Sequence, residues 1–234
     1  MKKIFLLVIV LSTLPGPSYG QQQKLRNRPY ADHEIFHLGF TVGVHTQDLI
    51  LKQSGHVNEN GEVWFSEIPS YSPGFSVGII TDLYLNRFMN LRVIPTLHLG
   101  SKSFVFKEQA SGEEYKTSLR NNYIDLPLQA KLTAGRINNY RPYLVVGIYG
   151  SVELAPQKDQ PVLLKPYDYG IEIGAGCDFY LPYFNLCPEL KFCFGLNEML
   201  ENDRSGPVDR EVIKYPLSLA SATQRMIVLS FNFE

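Results

Sequence analysis

Apolar and polar residues alternate with a period of two through most of the chain after the first twenty residues. Phe36, Leu38, Phe40, Val42 and Val44 alternate with His37, Gly39, Thr41, Gly43 and His45. The same rhythm returns at Phe75 to Ile79, Leu91 to Leu99, Ile124 to Leu132 and Leu144 to Leu154, and again at Tyr167 to Phe179, Phe184 to Phe194 and Ile227 to Phe233. Successive side chains of a strand point to opposite faces, so this pattern predicts strands with one apolar and one polar face. Eight such segments occur, and at roughly 10 to 16 residues each is long enough to cross a bilayer at a tilt. Nothing in this part of the chain reads as a long amphipathic helix.

The connections separate a soluble sandwich from a membrane barrel. Gln47–Ser72, Lys107–Asn121, Ala155–Pro166 and Leu196–Thr223 are long; Leu85–Asn90, Ala134–Tyr140 and Pro182–Tyr183 are short. Long and short alternate strictly, as external loops and periplasmic turns do in outer-membrane barrels. Tyr84, Phe88, Tyr140, Tyr143, Tyr180, Tyr183, Phe184 and Phe233 gather at the short-turn ends, where an aromatic belt would meet the headgroups. The sequence therefore predicts an all-β fold, an eight-stranded antiparallel transmembrane up-and-down β-barrel spanning residues 36–234. Pro95, Pro127 and Pro188 fall inside three strands, and a closed barrel has no edge to take them, so bulges are expected there.

Charge decides which face is inside. The polar face carries Arg92, Asp125, Lys131, Glu172, Asp178, Glu189 and Lys191. Each charge pointing into lipid would cost about 2–4 kcal/mol near the midplane, so these residues are expected to form a polar network in the lumen. An eight-stranded barrel is only wide enough for its own side chains to fill. Such a lumen passes neither a folded protein nor a solute, and function falls to the loops, the periplasmic end or the outer wall.

Composition agrees. Hydrophobic residues make up 44% and charged residues 19%, which argues against disorder and against several apolar helical spans. The longest apolar run, Ile4 to Leu11, follows Lys2 and Lys3 and precedes Ser18-Tyr19-Gly20. This is the order of a secretory signal peptide, expected over residues 1–20, with a periplasmic segment over 21–35 and export through the inner membrane to the outer membrane of a Gram-negative bacterium. Removing the first twenty residues takes the net charge from −1 to −3, without the basic excess of a nucleic-acid binder. The three cysteines, Cys177, Cys187 and Cys193, are an odd number for an exported chain, and Cys187 and Cys193 lie about 20 Å apart along one strand, so no disulfide framework is expected.

Candidate chemistry is sparse. His37 and His45 lie on one strand about 27 Å apart and cannot share an ion; His98 could approach one of them only across the lumen. No serine sits in a nucleophile elbow, and there is no phosphate-cradling glycine loop or clustered metal-ligand motif. No catalytic, cofactor or metal site is expected. In the first long loop, Trp64, Phe65 and Tyr71 are candidate contact residues for a loop-borne ligand, or packing at the outer headgroup boundary. The last strand ends Phe231-Asn232-Phe233-Glu234, close to the terminal aromatic pattern that barrel assembly machinery reads, with the aromatic penultimate.

Several segments resemble the PorT family of outer-membrane barrels of the type IX (Por) secretion system. They include Arg28-Pro29-Tyr30-Ala31-Asp32, the run from Glu67 to Gly78, Phe104-Val105-Phe106-Lys107-Glu108 and Gly112-Glu113-Glu114-Tyr115-Lys116-Thr117. The runs Lys165 to Gly174, Cys177 to Phe184 and Cys187 to Gly195 are similar. The resemblance implies an accessory component that works with other secretion-machinery proteins to export cargo with C-terminal sorting domains, and that serves gliding motility in some bacteria. It does not imply a channel and carries over no catalytic residues. The other reading is a passive barrel in outer-membrane lipid whose long external loops bind surface ligands.

Overall fold

The structure is a computed structural model that describes residues 26–31, 34–53, 64–67, 73–108, 114–154, 164–200 and 219–234. The expected signal peptide, residues 1–20, lies outside the described residues, as do Tyr71 and much of the long loops. The described strands are β1 (Phe36–Gln53), β2 (Trp64–Glu67), β3 (Pro73–Asn86), β4 (Met89–Val93) and β5 (Thr96–Glu108). They continue with β6 (Glu114–Thr133), β7 (Tyr140–Glu153), β8 (Tyr167–Tyr180), β9 (Asn185–Gly195) and β10 (Leu219–Phe233).

Every pairing is antiparallel, and each long strand pairs with the next in sequence. β1 closes the ring, with β10 on one side (Val42 opposite Phe231) and β3 on the other (Val42 opposite Val77). Strands β4 and β5 are one stave in two pieces, since both pair with β3 and with β6. The wall thus has eight staves: β1, β3, β4/β5, β6, β7, β8, β9 and β10.

Proline enters this wall without bulges. The break between β4 and β5 is Ile94–Pro95, and register is the same on both sides of it. Val93 pairs with Thr81 and Thr96 with Gly78, three residues on in each strand. Against β6, Val93 pairs with Leu128 and Thr96 with Asp125. Pro127 therefore lies at the level of Ile94–Pro95, so one interruption of the hydrogen-bond ladder serves both prolines. Thr96 Oγ1 donates to the Ile94 carbonyl at 2.8 Å, and Ile79 N to the Pro95 carbonyl at 3.1 Å. Register likewise passes Pro188 unchanged, from Gly176 opposite Glu189 to Phe179 opposite Leu186. The bulges expected at the three prolines are replaced by local gaps in pairing. A proline lacks one donor but adds no extra residue, so it need not shift register.

The strands outrun their apolar alternation on one side. The expected loop Lys107–Asn121 is largely a hairpin. β5 and β6 pair out to Lys107 opposite Glu114, well past Leu99, where β3 leaves β5. The short strand β2, inside the expected loop Gln47–Ser72, adds to its edge with Trp64 opposite Glu108 and Glu67 opposite Val105. The short connections stay short: Arg87–Phe88, Ala134–Asn139 and Leu181–Phe184.

Facing follows parity. Leu126, Leu144, Ile148 and Ile173 are more than half exposed on the outer wall, while the odd-numbered residues of β7 and the even-numbered ones of β8 turn inward. Parity corrects part of the expected aromatic belt. Tyr140, Tyr183, Phe88 and Phe184 are outside or exposed, whereas Tyr143 and Tyr180 are buried in the lumen. Phe233 stacks on Phe40 across the closing seam with ring centroids 4.8 Å apart.

A charge on this wall tests the facing. Ile148→Arg on β7 is expected to lower stability by about 2–4 kcal/mol, measured by urea unfolding in lipid vesicles; Val145→Thr, inside the barrel, carries no lipid penalty. A neutral Ile148→Arg would place β7 with the opposite face outward.

Candidate functional site

The lumen holds a connected set of buried charges. Arg92 has no accessible surface. Its Nε lies 3.3 Å from Asp82 Oδ2, its Nη1 3.0 Å from Glu189 Oε2 and its Nη2 2.7 Å from Glu234 Oε1. The strand order puts β4 and β9 four staves apart in a ring of eight, so Arg92–Glu189 spans the full lumen. Lys131 on β6 sits 2.8 Å from Asp178 on β8 and 3.7 Å from Glu234, with its ammonium 4.4 Å from the Tyr143 ring centroid. Arg141 donates to Asp178 Oδ2 through Nε and Nη2, both at 3.2 Å.

Glu189 links this group to the next. Tyr143 Oη donates to Glu189 Oε2 at 2.8 Å, and Lys191 Nζ is 3.8 Å from both Glu189 Oε1 and Glu172 Oε2. Gln129 Nε2 donates to Glu172 Oε1 at 2.7 Å, a second bond from β6 to β8 over the intervening β7. Tyr143 can lie flat on the inner wall because its cross-strand partner is Gly176, and a Cβ there would run into the ring.

Six of the seven charges named from the sequence, Arg92, Lys131, Glu172, Asp178, Glu189 and Lys191, thus fall in one network. Asp125 is held elsewhere, 3.2 Å from His98 Nε2. His98 Nδ1 is 3.4 Å from His45 Nδ1. The two imidazoles meet across β3 rather than across the lumen, where Gly74 lacks the Cβ that would collide with the His45 ring. His37 is apart, 3.4 Å from Glu34. Cys177, Cys187 and Cys193 are free thiols. Asp178, Cys187 and Glu234 offer atoms within 4.8 Å of one another, but the Lys131 ammonium already sits on the two carboxylates.

The network has members the sequence reading missed. Asp82, Tyr143, Arg141 and Glu234 complete it, and Asn90 donates to Asp82 Oδ1 at 2.7 Å. Parity was the available signal for Asp82 and Tyr143, since both share a face with recognised lumen residues. The lumen also holds an apolar part, with Tyr149, Cys193, Met226 and Val228 packed together and Tyr143, Val145 and Cys187 in a second cluster.

Two further structures sit at the ends. At the short-turn end, residues 26–31 strap across the barrel mouth. Asn27 N donates to Asn139 Oδ1 and Asn27 Nδ2 to the Tyr180 carbonyl, both at 2.9 Å, and Arg28 Nη1 donates to the Glu234 carbonyl at 3.0 Å. Arg136 donates to the Asn27 carbonyl and to the Arg28 carbonyl at 3.3 Å, and stacks 3.6 Å from the Tyr180 ring centroid. At the other end stands the β2–β5–β6 extension. It carries the backbone of Trp64 and Phe65 on β2.

Two outcomes are expected from this arrangement. Arg92→Met leaves Asp82 and Glu189 buried without their cation and costs about 3–5 kcal/mol, read as a drop in the denaturant midpoint of the refolded protein. Bonds such as Arg92–Glu189 cross the lumen and are expected to close it to ions. The protein in a planar bilayer is expected to give no stable unitary conductance, and reproducible single-channel steps would show that the network opens.

The outer membrane protein beta-barrel domain matches residues 21–201, well over half the chain. No curated protein matches the sequence. Among solved structures, the chain is similar to Neisserial surface protein A at 10% identity, with 85% of this chain and 98% of that one covered and a TM-score of 0.43. OprG from Pseudomonas aeruginosa matches at 12% identity, 85% and 93% coverage and a TM-score of 0.39. Ail of Yersinia pestis, in complex with the heparin analogue sucrose octasulfate, matches at 11% identity, 86% and 98% coverage and a TM-score of 0.35. None of these structural likenesses bears on function. With a closed ring of eight antiparallel staves, an apolar outer wall and this domain match, the chain belongs to the outer membrane protein β-barrel domain family, and its setting is the outer membrane.

Proposed function

We propose that this barrel is an accessory component of the type IX protein secretion machinery, related to the PorT family, and that it serves the export of cargo bearing C-terminal sorting domains without being the channel. One observation carries the reading. Three stretches that each touch a segment of the PorT resemblance, two from one hairpin and the third from about forty residues earlier, meet in a single sheet at the long-loop end. Glu67 of β2 pairs with Val105 of β5, and Val105 pairs in turn with Lys116 of β6. A barrel needing only to span the membrane has no use for a pair of strands that continues past its wall. A sheet standing clear of the barrel offers a surface to other secretion-machinery proteins. The plugged lumen supports the same division of labour, because a barrel that passes nothing acts through its surfaces.

In a clean deletion strain, sorting-domain cargo is expected to accumulate unprocessed in the periplasm and to return to the surface with the intact gene. A variant in which residues 101–120 are replaced by a tight turn is expected to fold, seen as heat-modifiable gel mobility, yet fail to restore export. Normal surface cargo in the deletion strain would overturn the proposal and favour the passive barrel, whose loops would then be screened for surface ligands. Full export by the truncated variant would move the working surface away from the extension.

A further inference from the structure

The short-turn end contains a basic basin that the proposed secretion role does not use and that shares Arg141 with the lumen network. A cavity of about 460 Å³ is lined by Arg26, Arg87, Arg136 and Arg141, with Tyr84 and the Ala134–Gly135 turn completing it. None of the lining residues is acidic. The size falls within the range of small-ligand sites, roughly 300–1,000 Å³.

Each arginine arrives by a different route. Arg87 stands on the β3–β4 turn and Arg136 on the β6–β7 turn. These turns are neighbours because β4 pairs with β6, and Thr133 N donates to the Phe88 carbonyl at 2.9 Å. Arg141 rises from β7 and is held by Asp178. Arg26 is brought in by the strap, whose next residue, Asn27, is fixed to Asn139 and Tyr180. The fold thus gathers four like charges that would disperse if left to themselves. Among the described residues neither Arg26 nor Arg87 pairs with a carboxylate, and Arg87 has only the Phe88 ring, 5.6 Å from its guanidinium carbon. Converging guanidinium forks with neutralisation left open suit a phosphate group, which they bind bidentately.

The setting selects the phosphate. On the lipid side of the same two turns, Phe88, Ile137, Leu132 and Leu85 are all about half exposed. Apolar side chains run up the outer wall from the rim of the basin, so a ligand with a phosphate and apolar chains could meet both. We propose that the basin binds the phosphate headgroup of one phospholipid of the periplasmic leaflet, with its acyl chains against this stretch of wall. Free phosphate is the other source of the same chemistry.

The test uses the full protein in detergent, with phosphatidylglycerol or inorganic phosphate as the probe. Native mass spectrometry is expected to show one retained phosphatidylglycerol, with retention falling about tenfold in R26Q/R87Q. K52Q removes one charge at the opposite end of the barrel and is expected to retain lipid as the parent does. R87Q alone gives a smaller loss and serves as the second variant if the double variant does not keep the heat-modifiable mobility of a folded barrel. Phosphate binding by calorimetry that is lost in R87Q, without lipid retention, would assign the basin to free phosphate and keep the chemistry. Equal lipid retention by R26Q/R87Q and K52Q with no phosphate binding overturns the site, as does a basin that takes a glutamate-rich peptide and neither phosphate form.

Discussion

The lumen of this barrel is wide enough only for its own side chains, so most charges that its strands point inward are met by an opposite charge from the wall. Arg92 shows the constraint in its strongest form. It is fully enclosed and reaches Asp82 on the adjacent stave, Glu189 on the opposite one and Glu234 beyond the end of β10. A guanidinium is planar with five donors and stays charged, so it can serve three carboxylates at once where an ammonium would cover them less well. Its attachments tie β3, β4, β9 and the chain end together, and Lys131 and Gln129 do the same between β6 and β8. Hydrogen-bond ladders close the ring along its circumference; the charges brace it across its diameter. The polar and apolar groups packed in the lumen, and the strap bonded over its mouth, sit on a frame fixed by that bracing.

Much of this was legible in the sequence because a strand has only two faces. Alternation alone placed Leu144, Ile148 and Ile173 outside and Arg92, Lys131 and Glu189 inside, and the lipid cost of charge settled which face was which. What alternation does not carry is partnership. Arg92 and Glu189 are 97 residues apart, and their meeting depends on the stagger of eight strands around a ring. Asp125 looked like a member of the same network and instead holds His98, because a meeting of His45 and His98 over Gly74 occupies that part of the lumen. Tyr143 and Tyr180 were read with the aromatic belt by their nearness to the turns, although the parity of their strands turns them inward. The hairpin past the wall was hidden for a related reason. Once a strand leaves the membrane neither face is obliged to be apolar, and the periodic signal stops where the pairing continues.

Proline is the other instructive case. Three prolines in a closed wall suggested three extra residues and three bends. The wall instead puts Pro95 and Pro127 on adjacent staves at one level, so their missing donors fall in a single gap, with Thr96 and Ile79 bonding the carbonyls left there. Losing a donor and adding a residue are separate events, and only the second moves the register.

The two ends of the molecule are chemically unlike, and one strand joins them. β6 begins in the extension at Glu114, runs along the barrel wall and ends at Thr133, beside the turn that carries Arg136. On the way Gln129 and Lys131 are bonded to β8. Sliding β6 against its neighbours would carry Lys131 away from Asp178 and leave both charges buried and unpaired, a cost of about 3–5 kcal/mol before any ladder bond is counted. A partner at the extension therefore meets a stave that cannot work as a piston. The barrel holds its two surfaces at a fixed separation on either side of the membrane, and in the proposed role it would act by where it places them rather than by moving between them.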